Sequence, residues 1–173
     1  DFINQTPETV EDLAEAYVWY IEDLLDKGRY PESREALKRA NRLLSYHPER
    51  AEKYRISYLI FQADLHTGSS KINEAINVYE QQIFPALKNQ EEGWARNQLA
   101  DVHRIAGMMY QSLRMYDKAL ANYFSYLELI KGIHESPYFR YGEVYIRISG
   151  VYKQLGFYNL ADEYSVKSAQ VYL

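Results

Sequence analysis

Two stretches, Tyr116-Asp117-Lys118-Ala119-Leu120 and Tyr158-Asn159-Leu160-Ala161-Asp162, begin 42 residues apart and decide how the chain is read. Each opens on tyrosine and carries alanine fourth. The register holds upstream, where Tyr110 faces Tyr152 and His103 faces Tyr145. The same frame occurs twice earlier. One copy is Gly28-Arg29-Tyr30 followed by Ala40, with Tyr17, Tyr20, Ile21 and Leu24 before it. The other is Ile72-Asn73-Glu74-Ala75-Ile76 with Tyr79, preceded by Tyr54, Tyr58 and Phe61. Self-similarity at a period of roughly 20–50 residues marks stacked supersecondary units.

The units are helical. Tyr17, Tyr20, Ile21 and Leu24 recur at three- and four-residue spacing, as do Ile105, Met108, Met109 and Ser112, and Tyr145, Ile148 and Tyr152. Pro7, Pro31, Pro48, Pro85 and Pro137 all suit helix starts or the connections between helices, and Pro31 suits a first turn. No segment reads as a strand. The whole chain is expected to form helices of roughly 12–20 residues joined by short turns.

Each feature of the unit has a steric reason. A bulky residue near the start of the first helix fills the space against the preceding unit. A small one a turn later (Gly107, Ser149) lets the two helices approach. The turn wants a permissive residue and then an aromatic, as in Gly156-Phe157-Tyr158 and Gly28-Arg29-Tyr30. The second helix needs a small residue early, supplied by Ser33, Ala75, Ala119 and Ala161. This pattern resembles the tetratricopeptide repeat family, in its long-repeat type, over roughly residues 12–172. Repeats fall at 14–47, 51–89, 92–131 and 138–173. Counted Tyr17 to Tyr54 to His103 to Tyr145, they are spaced by 37, 49 and 42 residues. The second turn, around His66-Thr67-Gly68-Ser69-Ser70, is expected to be longer than the others. The extra length is expected to lengthen helices and inter-repeat loops, notably around Gln82–Glu92 and Lys131–Tyr138. The resemblance implies a single domain, a right-handed α-solenoid of about four helix-turn-helix repeats.

Composition narrows the function. With 47% hydrophobic and 25% charged residues the chain is neither disordered nor low-complexity. Its net charge of −4, with acids and bases interleaved, argues against a nucleic-acid surface. No apolar run approaches the ~18 residues of a membrane span. There is no cysteine, hence no disulfide, thiolate metal site or Cys nucleophile, and no compartment is assigned, cytosolic or extracytoplasmic. The chain starts at Asp1 and ends at Leu173 inside a helical pattern, so both ends read as cut from a longer protein. His47, His66, His103 and His134 are scattered, with no HExxH pair. Phosphate-binding, dinucleotide and nucleophile-elbow motifs are missing. No enzyme, cofactor or metal is expected, and His103 reads as a packing residue.

In a repeat stack of this kind the first helices line a concave face. Inward positions are then Val18, Glu22 and Leu25 in the first repeat and Arg55, Leu59 and Gln62 in the second. The third offers Arg104, Met108 and Gln111, and the fourth Ile146, Arg147, Gly150 and Lys153. Arg55, Arg104 and Arg147 recur at nearly equivalent places, and guanidinium forks suit carboxylates. The candidate ligand site is therefore Arg55, Leu59, Gln62, Arg104, Met108, Gln111, Arg147 and Lys153, for a protein or peptide partner, acidic in the favoured reading. Each arginine also follows an acid by three or four residues (Glu52, Asp101, Glu143), so intrahelical pairing is the plainer role. Co-chaperones of the family grip a carboxylate tail with a lysine/asparagine clamp. Val18 and Glu22 stand where it would begin, which disfavours that partner. The resulting expectation is a binding module, the sensing or scaffolding part of a signalling or regulatory protein. The alternative is a homo-oligomerisation element using the terminal helix with Val166, Ala169, Val171 and Tyr172.

Overall fold

Every regular element in the computed structural model is helical; it describes residues 7–48, 51–88, 93–131 and 139–173. In chain order these are α1 (Pro7–Asp26), α2 (Tyr30–Tyr46), α3 (Ala51–Gly68), α4 (Ile72–Val78), a π-helical turn (Tyr79–Ile83), α5 (Phe84–Lys88), α6 (Gly93–Ser112), α7 (Tyr116–Lys131), α8 (Phe139–Gln154) and α9 (Tyr158–Gln170). The helices pack in consecutive pairs, α1 on α2, α3 on α4, α6 on α7 and α8 on α9.

What joins each pair is one turn, used four times. Gly28, Ser70, Arg114 and Gly156 all adopt left-handed φ, at +68°, +58°, +59° and +80°, at intervals of 42, 44 and 42 residues. In each case the left-handed residue donates its N–H to the carbonyl three back, as in Gly28 to Leu25 (2.9 Å) and Arg114 to Gln111 (3.0 Å). The next N–H reaches five back, as in Arg29 to Leu24 (2.8 Å) and Met115 to Tyr110 (2.9 Å). Two of the carbonyls that any helix end leaves unpaired are thereby satisfied. The second helix then opens on Ser33, Ala75, Ala119 or Ala161, whose N–H bonds the residue four before it at 3.0–3.1 Å. All four of these small residues are buried. The expected longer turn at Ser69-Ser70 is not found. Ser70 takes up the left-handed position that glycine holds elsewhere, and the loop keeps the common length.

The chain divides into two units, Asp1–Ala86 and Leu87–Leu173. In the first, α1 packs on both α2 and α3, and α3 also packs on α4 and the π turn. Ile21 and Leu24 of α1, Leu37, Leu43 and Leu44 of α2, and Tyr58, Phe61 and Leu65 of α3 form its core. Full burial of such aliphatic side chains is worth ~1.5–3 kcal/mol each. The Tyr58 hydroxyl donates to the Ala14 carbonyl at 3.0 Å, so its ring enters the core without an orphaned polar atom. Helix α3 buries two opposite sides, since Ile56 and Ala63 are buried as well. Val18 and Leu25, expected to face a groove, instead pack against this core; the stripe of α1 that must meet α2 and α3 is wide enough to take them. Of the extra length expected in helices and loops from Gln82, the part through Lys88 is helical. Pro85 is tolerated there because it is the second residue of α5, after the π turn. The remainder of that connection, residues 89–92, and Pro137 in the other lie outside the described residues.

In the second unit α7 also packs on α8. Gly107 of α6 faces Tyr123 of α7 so closely that a Cβ would sit 2.6 Å from the ring. Ser149 of α8, the matching small residue, donates its hydroxyl to the Ala161 carbonyl at 2.7 Å. Tyr164 of α9 is ringed by Tyr152 (5.6 Å between centroids), Tyr145 (6.0 Å) and Phe124 (6.1 Å). Tyrosine thus serves chiefly as packing material here.

Candidate functional site

On α6, residues 97, 101, 104, 108 and 111 are four or three apart and share one edge; on α8 the matching edge holds 140, 143, 147 and 150. Side chains join these two edges along their length. Arg140 donates to Asn97 Oδ1 (3.2 Å) and to Asp101 Oδ1 (3.1 Å). Arg104 donates through Nη1 to Glu143 Oε1 at 3.3 Å, and Arg147 reaches the same oxygen through Nη2 (3.1 Å) and Nε (3.3 Å). Asp101 stands 3.8 Å from Arg104. Helix α7 supplies two aromatic partners. Tyr126 accepts from Arg140 Nε at 3.2 Å, with the guanidinium carbon 5.6 Å from its ring centre. The Tyr123 hydroxyl donates to Gln111 Oε1 at 2.7 Å. Burial raises the Tyr123 hydroxyl above its ordinary range, although Arg147 and Arg104 pull the other way, so it stays a donor.

Three guanidiniums therefore meet two carboxylates, leaving one positive charge in surplus. The Arg104 and Arg147 side chains are 25% and 30% exposed, dry enough to strengthen a contact and open enough to be reached. Ion pairs at such exposure add only about 0–1 kcal/mol to stability. Their consequence is positional: Glu143 aims two guanidinium forks from two helices at one point.

Of the expected site residues, Arg104, Met108, Gln111 and Arg147 come together here. Met108 Sδ lies 3.8 Å from Arg104 Nη1. Lys153 lies further along α8 and is exposed. Arg55, Leu59 and Gln62 belong to the first unit, on the edge of α3 between its two buried sides; Arg55 is exposed and the other two are half-buried. Intrahelical pairing is present at Asp101–Arg104 and Glu143–Arg147, whereas the Glu52 side chain lies outside the described residues. The inter-helix bond from Arg104 to Glu143 and the whole role of Arg140 were missed. The seven-residue interval from Arg140 to Arg147, with Glu143 between, was the available signal.

His103 packs at the α6–α7 contact, its Nδ1 2.9 Å from Asn122 Oδ1, and burial lowers its pKa. Among the described residues no group of His, Asp and Glu is placed to hold a metal ion, and no helix is long and apolar enough to cross a membrane. No model of a known protein family and no curated protein matches the chain.

Proposed function

We propose that the chain is a protein- or peptide-binding module of tetratricopeptide type, a right-handed solenoid whose second unit receives an acidic group at Arg104 and Arg147. The observation that carries this is the convergence of both guanidiniums on Glu143 Oε1 with positive charge left over. A ligand carboxylate arriving beside Glu143 takes up N–H donors that one oxygen leaves under-used, in a bidentate geometry that lysine does not offer. Support for the fold assignment comes from the four equivalent turns and the buried small residue that follows each. Half-buried Met108 and exposed Ile146 give the same surface apolar area for neighbouring ligand side chains.

The test is fluorescence anisotropy with a labelled glutamate-rich peptide and its glutamine counterpart. The parent is compared with Arg104→Lys/Arg147→Lys and, separately, Arg55→Ala. Charge-assisted bonds of ~1.5–3 kcal/mol predict that the double lysine variant binds the acidic peptide at least about tenfold more weakly, with an unchanged helical melt. Equal affinity for both peptides, or equal affinity in parent and double variant, discards the proposal. Arg55→Ala, which lies outside the second unit, should keep the parent's affinity.

A further inference from the structure

A cavity of about 390 Å³ opens in the first unit, away from the arginines just described. Its walls are Arg34, Lys38 and Asn41 of α2, Gln62 and His66 of α3, and Ser69 and Lys71 of the turn into α4, over a floor of Leu37 and Leu65. Three cations, the His66 imidazole and the neutral side chains of Asn41, Gln62 and Ser69 line it, and no carboxylate does. Helix α2, which supplies two of the cations, is itself net basic, with Arg34, Lys38, Arg39 and Arg42 against Glu32 and Glu35. Among the described residues Arg34 and Lys71 form no ion pair, and Lys38 has only Glu35 at 3.8 Å, on an exposed surface. Two of the three lining cations, Arg34 on α2 and Lys71 at the turn into α4, thus carry charge that no carboxylate of the described residues pairs.

We propose that this cavity is a binding site for a small phosphorylated molecule carrying at least two phosphate groups. The chemistry selects that class. A single orthophosphate, with about −1.5 to −2 charge, leaves part of the cationic lining uncompensated. A diphosphate matches the charge of three cations, with Arg34 offering a fork and Lys38 and Lys71 acting as point charges. Asn41, Gln62 and Ser69 add neutral donors for the remaining oxygens. The floor is apolar, so attraction between ion and cations is strengthened on that side. Gln62, expected from its helical position to line a groove, has this second role. The site shares no residue with the arginine cluster of the second unit and stands or falls independently of it.

The experiment is isothermal titration of the whole chain with inorganic pyrophosphate, orthophosphate and sulfate. Backbone amide shifts are followed in parallel. The variants are Arg34→Gln/Lys71→Gln, at exposed positions whose change leaves the core intact, and Arg104→Lys/Arg147→Lys as a control. The expected result is saturable pyrophosphate binding with shifts at Asn41 and Ser69 to Lys71. It should weaken about tenfold or more in the first variant and stay unaltered in the control. Pyrophosphate binding of equal strength in parent and Arg34→Gln/Lys71→Gln overturns the assignment. So does sulfate saturating as tightly as pyrophosphate, which reduces the cavity to general counter-ion attraction, or the absence of any saturable response.

Discussion

The four equivalent turns allow a paired experiment. Gly156 and Arg114 occupy the same left-handed position in successive helical hairpins, at φ +80° and +59°, one with the residue suited to it and one without. A side chain in this conformation costs ~1–2 kcal/mol from the approach of Cβ to the following carbonyl. The space around Gly156 is empty to 4 Å, so Gly156→Ala introduces that conformational term and no collision. Against it stands the smaller unfolded-state entropy of alanine, worth ~0.4–1 kcal/mol, leaving a net loss of about 1 kcal/mol. Arg114→Gly runs the same sum in reverse. Arg114 is exposed and makes no side-chain hydrogen bond or ion pair among the described residues, so nothing is forfeited and a gain of about 0.5–1 kcal/mol is expected. Urea unfolding reads both, and thermal melts should shift in opposite directions by ~2–4 °C per kcal/mol. Were Arg114→Gly neutral or destabilising while Gly156→Ala cost nothing, backbone handedness would not be what limits these turns.

Two further substitutions probe the first unit. Ser33 fills the small position that is alanine in the other three hairpins, and its buried Oγ has no hydrogen-bond partner. Ser33→Ala removes the orphan and improves helix propensity, so stability should rise by about 1 kcal/mol in denaturant titrations; a loss would mean that the hydroxyl is satisfied. Burial pushes the Asp64 carboxyl from 3.8 up to about 6. The native state then holds this proton more tightly than the unfolded chain does. Its contribution is fully present below pH ~4 and is lost as pH rises through ~6, a swing of up to about 3 kcal/mol. Asp64→Asn should therefore raise stability at neutral pH and have little effect at pH 4. A difference from the parent that stays constant across this window would show that Asp64 titrates normally.

The all-helical class and the pairing of neighbours were legible because both depend on local rules. Three- and four-residue spacing among Tyr17, Tyr20, Ile21 and Leu24 can bury a face only as a helix. An early small residue at Ser33, Ala75, Ala119 and Ala161 marks where a second helix must approach a first. Even so, counting from bulky residues obscured the period, since spacings of 37, 49 and 42 come from side chains that differ in depth. Counting from the backbone left-handed residues restores 42, 44 and 42, and two of those residues, Ser70 and Arg114, are types that do not announce a left-handed backbone. Val18 and Leu25 were misplaced for a related reason. A helix that meets two neighbours buries a broader stripe than one that meets a single partner, and the number of neighbours is not a local property.

Within the candidate sites the division is similar. The arginines at 104 and 147 could be picked out by their positions on the first helices of their pairs, and the carboxylates preceding them pointed correctly to intrahelical bonds. That Glu143 also receives Arg104, that Arg140 spans to Asn97 and Asp101, and that Arg34, Lys38 and Lys71 surround one opening were decided in three dimensions. The amino-acid order by itself determined helices, turns and small contact residues, because backbone sterics and the 3.6-residue period act over a few neighbours. Only the tertiary structure decided which charges meet. Apolar burial has no preferred direction, and a rotation or slide of one helix by a few ångströms leaves the buried stripe nearly intact while exchanging every polar partner along its edge.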